Sequence, residues 1–170
     1  MTVPGHGPAP CRLMIVGERP GYAEAQEGIP FVGASGREQD LFLELNGLHR
    51  SQFWITNLCK SYDPDNADPT LVDIREWGPV LEQELRDVRP VFILAVGRYA
   101  TRWFLGDVDM DAVHGTPRHS AKAPEATIIP CYHPAFGLYD PDAKGLVYHD
   151  YSQAAKIIKG KISAEPVVDT

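Results

Sequence analysis

Four short apolar runs divide the chain, and each ends at a glycine, a proline or a group of polar residues. They span residues 12–16 (RLMIV), 53–56 (FWIT), 91–96 (VFILAV) and 127–131 (TIIPC). Compact runs of this length, bounded by turn residues, favour buried β-strands over short helices.

The segments between these runs mix apolar and polar positions and predict helices. We expect helices at about 37–45, 70–88 and 149–161, and another that begins near Arg98. Gly78 and Pro79 are expected to break or kink the second of them. Strands alternating with helices predict an α/β fold, a three-layer α/β/α sandwich around a central, mostly parallel four-stranded sheet.

A single domain is predicted over residues 11–163, with a flexible lead at 1–10 and a tail at 164–170. Three irregular stretches follow the first, second and fourth strands, and the first is a long glycine-punctuated loop over residues 17–36. Loops this long are often functional. Because ligands of parallel sheets bind beyond the carboxyl ends of the strands, a site is expected at that edge.

Composition narrows the setting. The 170 residues contain 44% hydrophobic residues and three cysteines, at positions 11, 59 and 131, with no CxxC pair. This pattern predicts a monomeric, cytoplasmic protein without a disulfide framework. No apolar run approaches the roughly 18 residues that cross a bilayer, and the first ten residues lack a signal-peptide pattern. The net charge of −7 argues against wholesale binding to nucleic acid.

Four short motifs occur in the irregular stretches and at the strand ends. They are residues 17–21 (GERPG), 28–36 (GIPFVGASG), 55–60 (ITNLCK) and 133–135 (HPA). Their order and spacing over residues 12–150 resemble those of the uracil-DNA glycosylase superfamily, most closely its family four. Each motif alone is weak, since a lone His before Pro is usually a loop residue and a lone Phe a core residue. Four in order are specific.

The resemblance assigns roles to particular residues. Phe31 is expected to stack on an extruded base beside Gly17. Asn57 would pair with N3–H and O4 of uracil, which rejects cytosine because its donor and acceptor pattern is reversed. His133 would donate to uracil O2 as negative charge develops on the leaving base. Glu18 is the candidate for activating water and for favouring the sugar cation. Glu24 is a weaker candidate, and as a loop residue it is expected to be solvated surface.

Contacts with DNA follow from the same resemblance. Leu138 stands where the family inserts a wedge into the duplex. The candidates for phosphate contact are Arg19, Lys60, Arg98 and Arg118, with Lys122 and His114 as further basic positions. Arg19 departs from the family, because a cation beside a sugar that develops positive charge opposes the reaction unless its side chain turns away. Tyr139 also departs, where a basic residue is common.

The family's iron–sulfur cluster is not expected here. Only Cys11 precedes the first motif, Ser61 stands at the third ligand position, and the region of Trp77 offers no cysteine for the fourth. Cys59 and Cys131 suit small buried apolar positions better. A zinc site built from His114, His119, Cys131 and His133 lacks ligand spacing, so neither a metal nor a cofactor is predicted.

The predicted function is therefore a cluster-free uracil-DNA glycosylase that hydrolyses the glycosidic bond of deoxyuridine in DNA. Two alternatives stay open. The pocket could serve a modified pyrimidine in DNA or a nucleotide, or the chain could bind a flipped base without catalysis. The sequence does not distinguish a cellular from a viral host.

Overall fold

Four parallel strands form the centre of the computed structural model, which describes residues 1–165. The strands are β1 (Leu13–Gly17), β2 (Trp54–Asn57), β3 (Phe92–Val96) and β4 (Thr127–Cys131). Their order in the sheet is β2-β1-β3-β4, and the register pairs Gly17 with Asn57 and Val96 with Cys131. The predicted α/β fold is confirmed, and all three strand pairings are parallel.

Helices cover both faces of the sheet. They are α1 (Tyr22–Glu27), α2 (Ala34–Leu45), α3 (Leu71–Val88), α4 (Arg98–Leu105), α5 (Met110–Val113), α6 (Pro134–Tyr139) and α7 (Lys144–Ile158), with 3₁₀ turns at Arg50–Gln52 and Pro141–Ala143. One core joins α2 and α7 to the sheet and the other joins α3 and α4 to its opposite face. Because alternate strand residues point to opposite faces, both sets of strand side chains are buried.

Helix α3 passes through Pro79 without the predicted break. Leu81, Leu85 and Val88 are buried along one face of its second half, and Gly78 is buried beside Trp103. Pro79 lies on the exposed side, so water can satisfy the carbonyl group that loses its helical partner. Packing of one continuous apolar face therefore outweighs the local cost of proline.

Helix α7 begins five residues earlier and ends three residues earlier than predicted. The 3₁₀ turn at 141–143 leads directly into it, and Gly160 in the left-handed region follows its end. The loop predicted at 17–36 also contains more structure than expected, because α1 lies inside it and α2 starts at Ala34.

The first ten residues are not a loose lead in this structure. Val3 is buried, and its N–H donates to the carbonyl of Lys60 at 2.7 Å. His6 and Ile55 exchange backbone hydrogen bonds of 2.9 Å in each direction. The segment thus covers the free edge of β2, which would otherwise present unpaired backbone groups.

At the other end, Ala164 packs against the core, and its carbonyl accepts from Thr127 Oγ1. Residues 166–170 of the predicted tail lie outside the described residues. Within residues 1–165, no helix is both long and apolar enough to cross a bilayer.

Candidate active site

A cavity of about 160 Å³ lies at the carboxyl edge of the sheet. Its volume is below the roughly 300–1,000 Å³ of sites for drug-sized ligands, so it suits one small ring. All four motifs contribute to it. Its lining residues are Arg19, Gly21, Glu24, Phe31, Ser35, Gly36, Asn57 and His133.

Phe31 supplies the aromatic wall of this cavity. Its ring is buried, and its centroid lies 6.1 Å from that of His133 with an angle of 27° between the planes. Gly17 makes room for it: a Cβ atom at Gly17 would lie 2.4 Å from Phe31 Cζ and 2.5 Å from Asn57 Oδ1. Gly17 is therefore required by the two side chains that face the cavity, in agreement with its predicted place.

Arg50 holds Phe31 in an unusual backbone conformation, and the sequence analysis did not find it. Phe31 has a φ of 55°, in the left-handed region that bulky residues avoid. The Arg50 guanidinium donates to the carbonyl of Phe31 and, at 2.6 Å, to that of Pro30. Asp40 pairs with the same guanidinium at 3.2 Å. Only the grouping of these residues in space reveals the clamp.

Asn57 ends β2 and is buried at the cavity. Within residues 1–165, its side-chain amide has no protein hydrogen-bond partner, while its main-chain carbonyl accepts from Lys60 Nζ at 2.5 Å. The amide is thus available to a ligand on a fixed backbone.

Lys60 was predicted to contact DNA, and the structure places it elsewhere. Its side chain is 4% exposed and its ammonium group pairs with Glu84. Glu84 also accepts from Trp54 Nε1 and Thr56 Oγ1, on the strand that carries Asn57. Lys60 is therefore a support behind Asn57, since a buried paired cation cannot reach a phosphate.

His133 is fixed in one tautomer by the start of α6. Its Nδ1 accepts from the backbone N–H of Ala135 at 3.1 Å, so the proton of the neutral ring lies on Nε2. Burial lowers the pKa of His133 from 6.5 to about 4, and Glu24 opposes this only in part. At neutral pH the side chain is an uncharged Nε2–H donor.

Glu18 follows Gly17 but does not line the cavity. Its carboxylate lies near the N–H groups of Tyr99 and Arg98 at the start of α4, and both groups lower its pKa. Gly97 leaves the room for this contact, because a Cβ atom there would lie 2.3 Å from Glu18 Oε1. Burial raises the pKa of Glu18 from 4.5 to about 7, against the effect of the Tyr99 N–H.

Glu24 is buried, contrary to the expectation of solvated surface. Its Oε1 accepts from Gly21 N–H at 2.9 Å, and its Oε2 accepts from the N–H groups of Val32 and Gly33 at 2.8 and 2.6 Å. One carboxylate therefore ties the first motif to the segment that carries Phe31. The sequence did not predict this burial because the partners of Glu24 are backbone N–H groups. Such partners cannot be recognised from the residue types along the chain.

Arg19 lines the cavity, but its guanidinium turns toward the loop after β2. It donates to the carbonyl of Ala67 at 2.9 Å and to Ser61, and Asp73 lies 3.6 Å from it. These partners hold the Arg19 guanidinium against the protein's own groups with its side chain only 13% exposed, in contrast to its predicted role at a phosphate.

The other predicted DNA contacts divide into two groups. Arg98 at the start of α4 has a side chain that is 54% exposed and pairs with Asp68, and Leu138 on α6 is 44% exposed. These two lie on elements that start at the carboxyl edge of the sheet.

The remaining basic candidates lie on elements apart from the cavity wall. Arg118 pairs with Ile128, three residues before β4 ends, and Lys122 Nζ lies 4.2 Å from the ring centroid of Trp103. His114 binds Asp150 instead of facing solvent.

The residues at the expected cluster positions do not fit an iron–sulfur cluster. Trp77 Nε1 donates to Ser61 Oγ at 3.3 Å, and Arg19 binds the same hydroxyl. Neither Ser61 nor Trp77 supplies a thiolate, and Cys11 donates to the carbonyl of Gln52 on another part of the surface. Among the described residues, no three His, Cys, Asp or Glu side chains are grouped to hold a metal ion.

Residues 4–153 match the family model of the uracil DNA glycosylase superfamily. The chain belongs to this superfamily. The match covers the strands and all four motifs, so the resemblance and the fold agree over most of the sequence.

Curated relatives are named type-4 uracil-DNA glycosylases. The protein of Sulfurisphaera tokodaii is 33% identical over 163 residues, which cover 92% of this chain and 74% of that protein. For Saccharolobus solfataricus the identity is 32%, over 98% of this chain and 78% of the relative. For Thermotoga maritima it is 30%, over 93% and 83%.

Among solved structures, SMUG2 of Pedobacter heparinus superposes with a TM-score of 0.52 at 16% identity. The superposition covers 89% of this chain and 77% of that one. At this identity the likeness supports the superfamily fold alone.

Proposed function

We propose that this chain excises uracil from DNA by hydrolysing the N-glycosidic bond of deoxyuridine, which leaves an abasic site. One observation carries the proposal. A neutral Nε2–H donor on His133, an unpartnered amide on Asn57 and the ring of Phe31 line the same small cavity. These are the donor, acceptor and stacking surface that one extruded uracil requires.

Recognition rests on Asn57. Its amide offers one acceptor to N3–H and one donor to O4 of uracil. Lys60 holds the main chain behind this amide, and Glu84 keeps Lys60 in place. Cytosine presents an acceptor at N3 and a donor at C4, so its pairing groups would face like groups.

The chemistry rests on His133. When the C1′–N1 bond breaks, its electron pair leaves with the base, and negative charge spreads onto O2. A preformed Nε2–H donor stabilises this charge, and one such donor contributes roughly 2.7–4 kcal/mol. Because the pKa of His133 is about 4, the group that donates at neutral pH is the neutral imidazole.

Glu18 is assigned to water. Its ionised carboxylate accepts a proton as water oxygen bonds to C1′, and its charge favours the sugar cation. Arg19 no longer conflicts with such a cation, since its guanidinium binds Ser61, Ala67 and Asp73. The case for a different pyrimidine substrate rested partly on that conflict.

The test is incubation with a single-stranded oligonucleotide that contains one uracil, followed by alkaline cleavage at the abasic site. We expect cleavage by the wild type and a loss of about 100-fold or more in His133→Ala, with a comparable loss in Asn57→Ala. Wild-type protein at high concentration that leaves the strand intact would refute the proposal.

A matched control is available. His49 is exposed and its side chain makes no capping bond, so His49→Ala should keep wild-type activity. Saturable binding without turnover would instead indicate a non-catalytic module. The predicted monomeric state and cytoplasmic location stay predictions.

A further inference from the structure

Asp150 is a buried carboxylate next to the backbone of the proposed catalytic histidine, and none of the four motifs contains it. It lies on α7, is 0% exposed, and belongs to the buried face that also contains Val147, Tyr151 and Ala154. A charged side chain in an apolar face is costly unless every lone pair has a partner. A leucine would fill such a position at lower cost.

Both oxygens of Asp150 have specific partners. Oδ2 accepts from the backbone N–H of Tyr132 at 2.8 Å, and Oδ1 lies 2.6 Å from Nδ1 of His114. Tyr132 directly precedes His133. The carboxylate therefore holds the peptide unit between Cys131 and Tyr132, one residue before the catalytic histidine.

Three further contacts hold the segment around Tyr132 in place. The rings of His114 and Tyr132 lie 4.5 Å apart, and the Tyr132 hydroxyl donates to Asp111. Gly115 lets the loop approach, since a Cβ atom there would lie 2.9 Å from Asp150 Oδ1. The loop before β4, the end of β4 and α7 meet at this one carboxylate.

We propose that Asp150 is a positioning residue for His133, which acts through the Tyr132 amide with His114 as its second partner. This inference rests on the proposed function for its activity readout. Misplacing a reacting group by about 1 Å can cost 100-fold in rate, so loss of this anchor should lower kcat more than it raises KM.

Titratable groups face Asp150 from each element that packs against it. His114 faces it from the loop before β4, His149 from α7, and Cys131 and Tyr132 from the end of β4, with Asp111 behind the phenol. Burial raises the pKa of Asp150, and the Tyr132 N–H and His114 oppose the shift.

Two substitutions of Asp150 separate its hydrogen bonds from the space that its side chain fills. Asp150→Ala removes both acceptors, and kcat should fall between about 10- and 100-fold at every pH, with KM changed less than about threefold. Asp150→Asn can still accept from Tyr132 N–H through its amide oxygen, while its amide nitrogen faces Nδ1 of His114.

Asp150→Asn should therefore stay within about threefold of wild type in kcat. The comparison uses the ratio to wild type at one fixed pH, because Glu18 titrates near pH 7. Asp142→Asn, an exposed neighbour on the 3₁₀ turn before α7, should match wild type throughout.

A readout without catalysis separates this inference from the proposed function. By NMR, the Tyr132 amide should exchange faster in Asp150→Ala, and the His133 ring signals should shift, whereas Asp150→Asn at pH 8 should resemble wild type. A folded Asp150→Ala with unchanged Tyr132 exchange, or with wild-type kcat, would overturn the inference. If Asp150→Ala does not fold, Asp150→Leu, which also removes both acceptors but fills the apolar space, takes its place in both measurements. Inactive wild type would refute the function and leave the NMR test intact.

Discussion

The amide of Ala135 sets the chemistry of His133 from two residues away. By donating to Nδ1 it leaves the only ring proton on Nε2, the atom assigned to uracil O2. Pro134, which has no N–H, lies between them at the start of α6. The His-Pro pair thus produces a fixed donor because helix α6 begins there. All three residues, His133, Pro134 and Ala135, lie in one sequence motif, so His133 could be singled out from the sequence.

Glu18 carries a pH dependence whose sign is fixed by its raised pKa. Water activation needs the carboxylate, so kcat should rise with pH through about 7. Glu18→Gln should remove this rise and leave only low activity. A wild-type profile that is flat between pH 5.5 and 8.5 would contradict the assignment.

The same shift acts on stability in the opposite direction. The folded state holds the Glu18 proton up to pH about 7, and the unfolded chain releases it near 4.5, so stability falls as pH rises across this interval. Glu18→Gln should therefore melt above wild type at pH 8 and close to it at pH 4.5, as measured by calorimetry. Ionisation of Glu18 would then raise activity and lower stability.

At the scale of elements, the strands were predictable and the supports of the site were not. All four strands appear within one residue of their predicted ends because buried runs depend on local composition. The break predicted at Pro79 does not occur, since packing against the sheet overrides a local cost. Glu24 and Arg50 act through backbone groups 8 to 20 residues away, and such partners leave no pattern in one sequence. Lys60 acts through the Asn57 carbonyl only because Glu84, on another helix, fixes its ammonium group.

The Arg50 clamp gives a test at this scale. Arg50→Lys keeps the charge but replaces a planar fork, in which one nitrogen contacts Phe31 and Asp40 and the other contacts Pro30, by a single nitrogen on a shorter stem. A left-handed bulky residue costs about 1–3 kcal/mol to hold, so Phe31 should relax out of the cavity. We expect kcat/KM to fall about tenfold or more, in line with that energy.

Arg37→Lys is the matched control for this experiment. Arg37 also reaches a carbonyl of the same segment, that of Val32, but over 3.4 Å and from an exposed position. Its conservative replacement should leave kcat/KM near wild type. Equal effects of the two substitutions would show that the clamp has no special part in holding Phe31.

At the scale of the whole molecule, the net charge of −7 sets how the protein holds DNA. The structure removes Lys60 and Arg19 from the phosphate contacts, since both are bound to the protein's own groups. Arg98 keeps its place at the carboxyl edge. Exposed apolar side chains lie on α6, which also starts at this edge: Tyr139 is 88% exposed and Leu138 44%.

Binding should therefore depend only weakly on salt. With at most about three phosphate contacts, log Kobs should fall against log salt with a slope no steeper than about −3 on duplex and about −2 on single strands. Fluorescence anisotropy of a labelled oligonucleotide, titrated at about 50 to 200 mM salt, measures this slope. Arg98→Ala should reduce the duplex slope by about one, whereas Lys156→Ala, in the last turn of α7, should leave it unchanged. A slope steeper than about −6 would require an extended basic face, which the net charge of −7 does not favour. Such a slope would show that residues other than these make the main contacts with DNA.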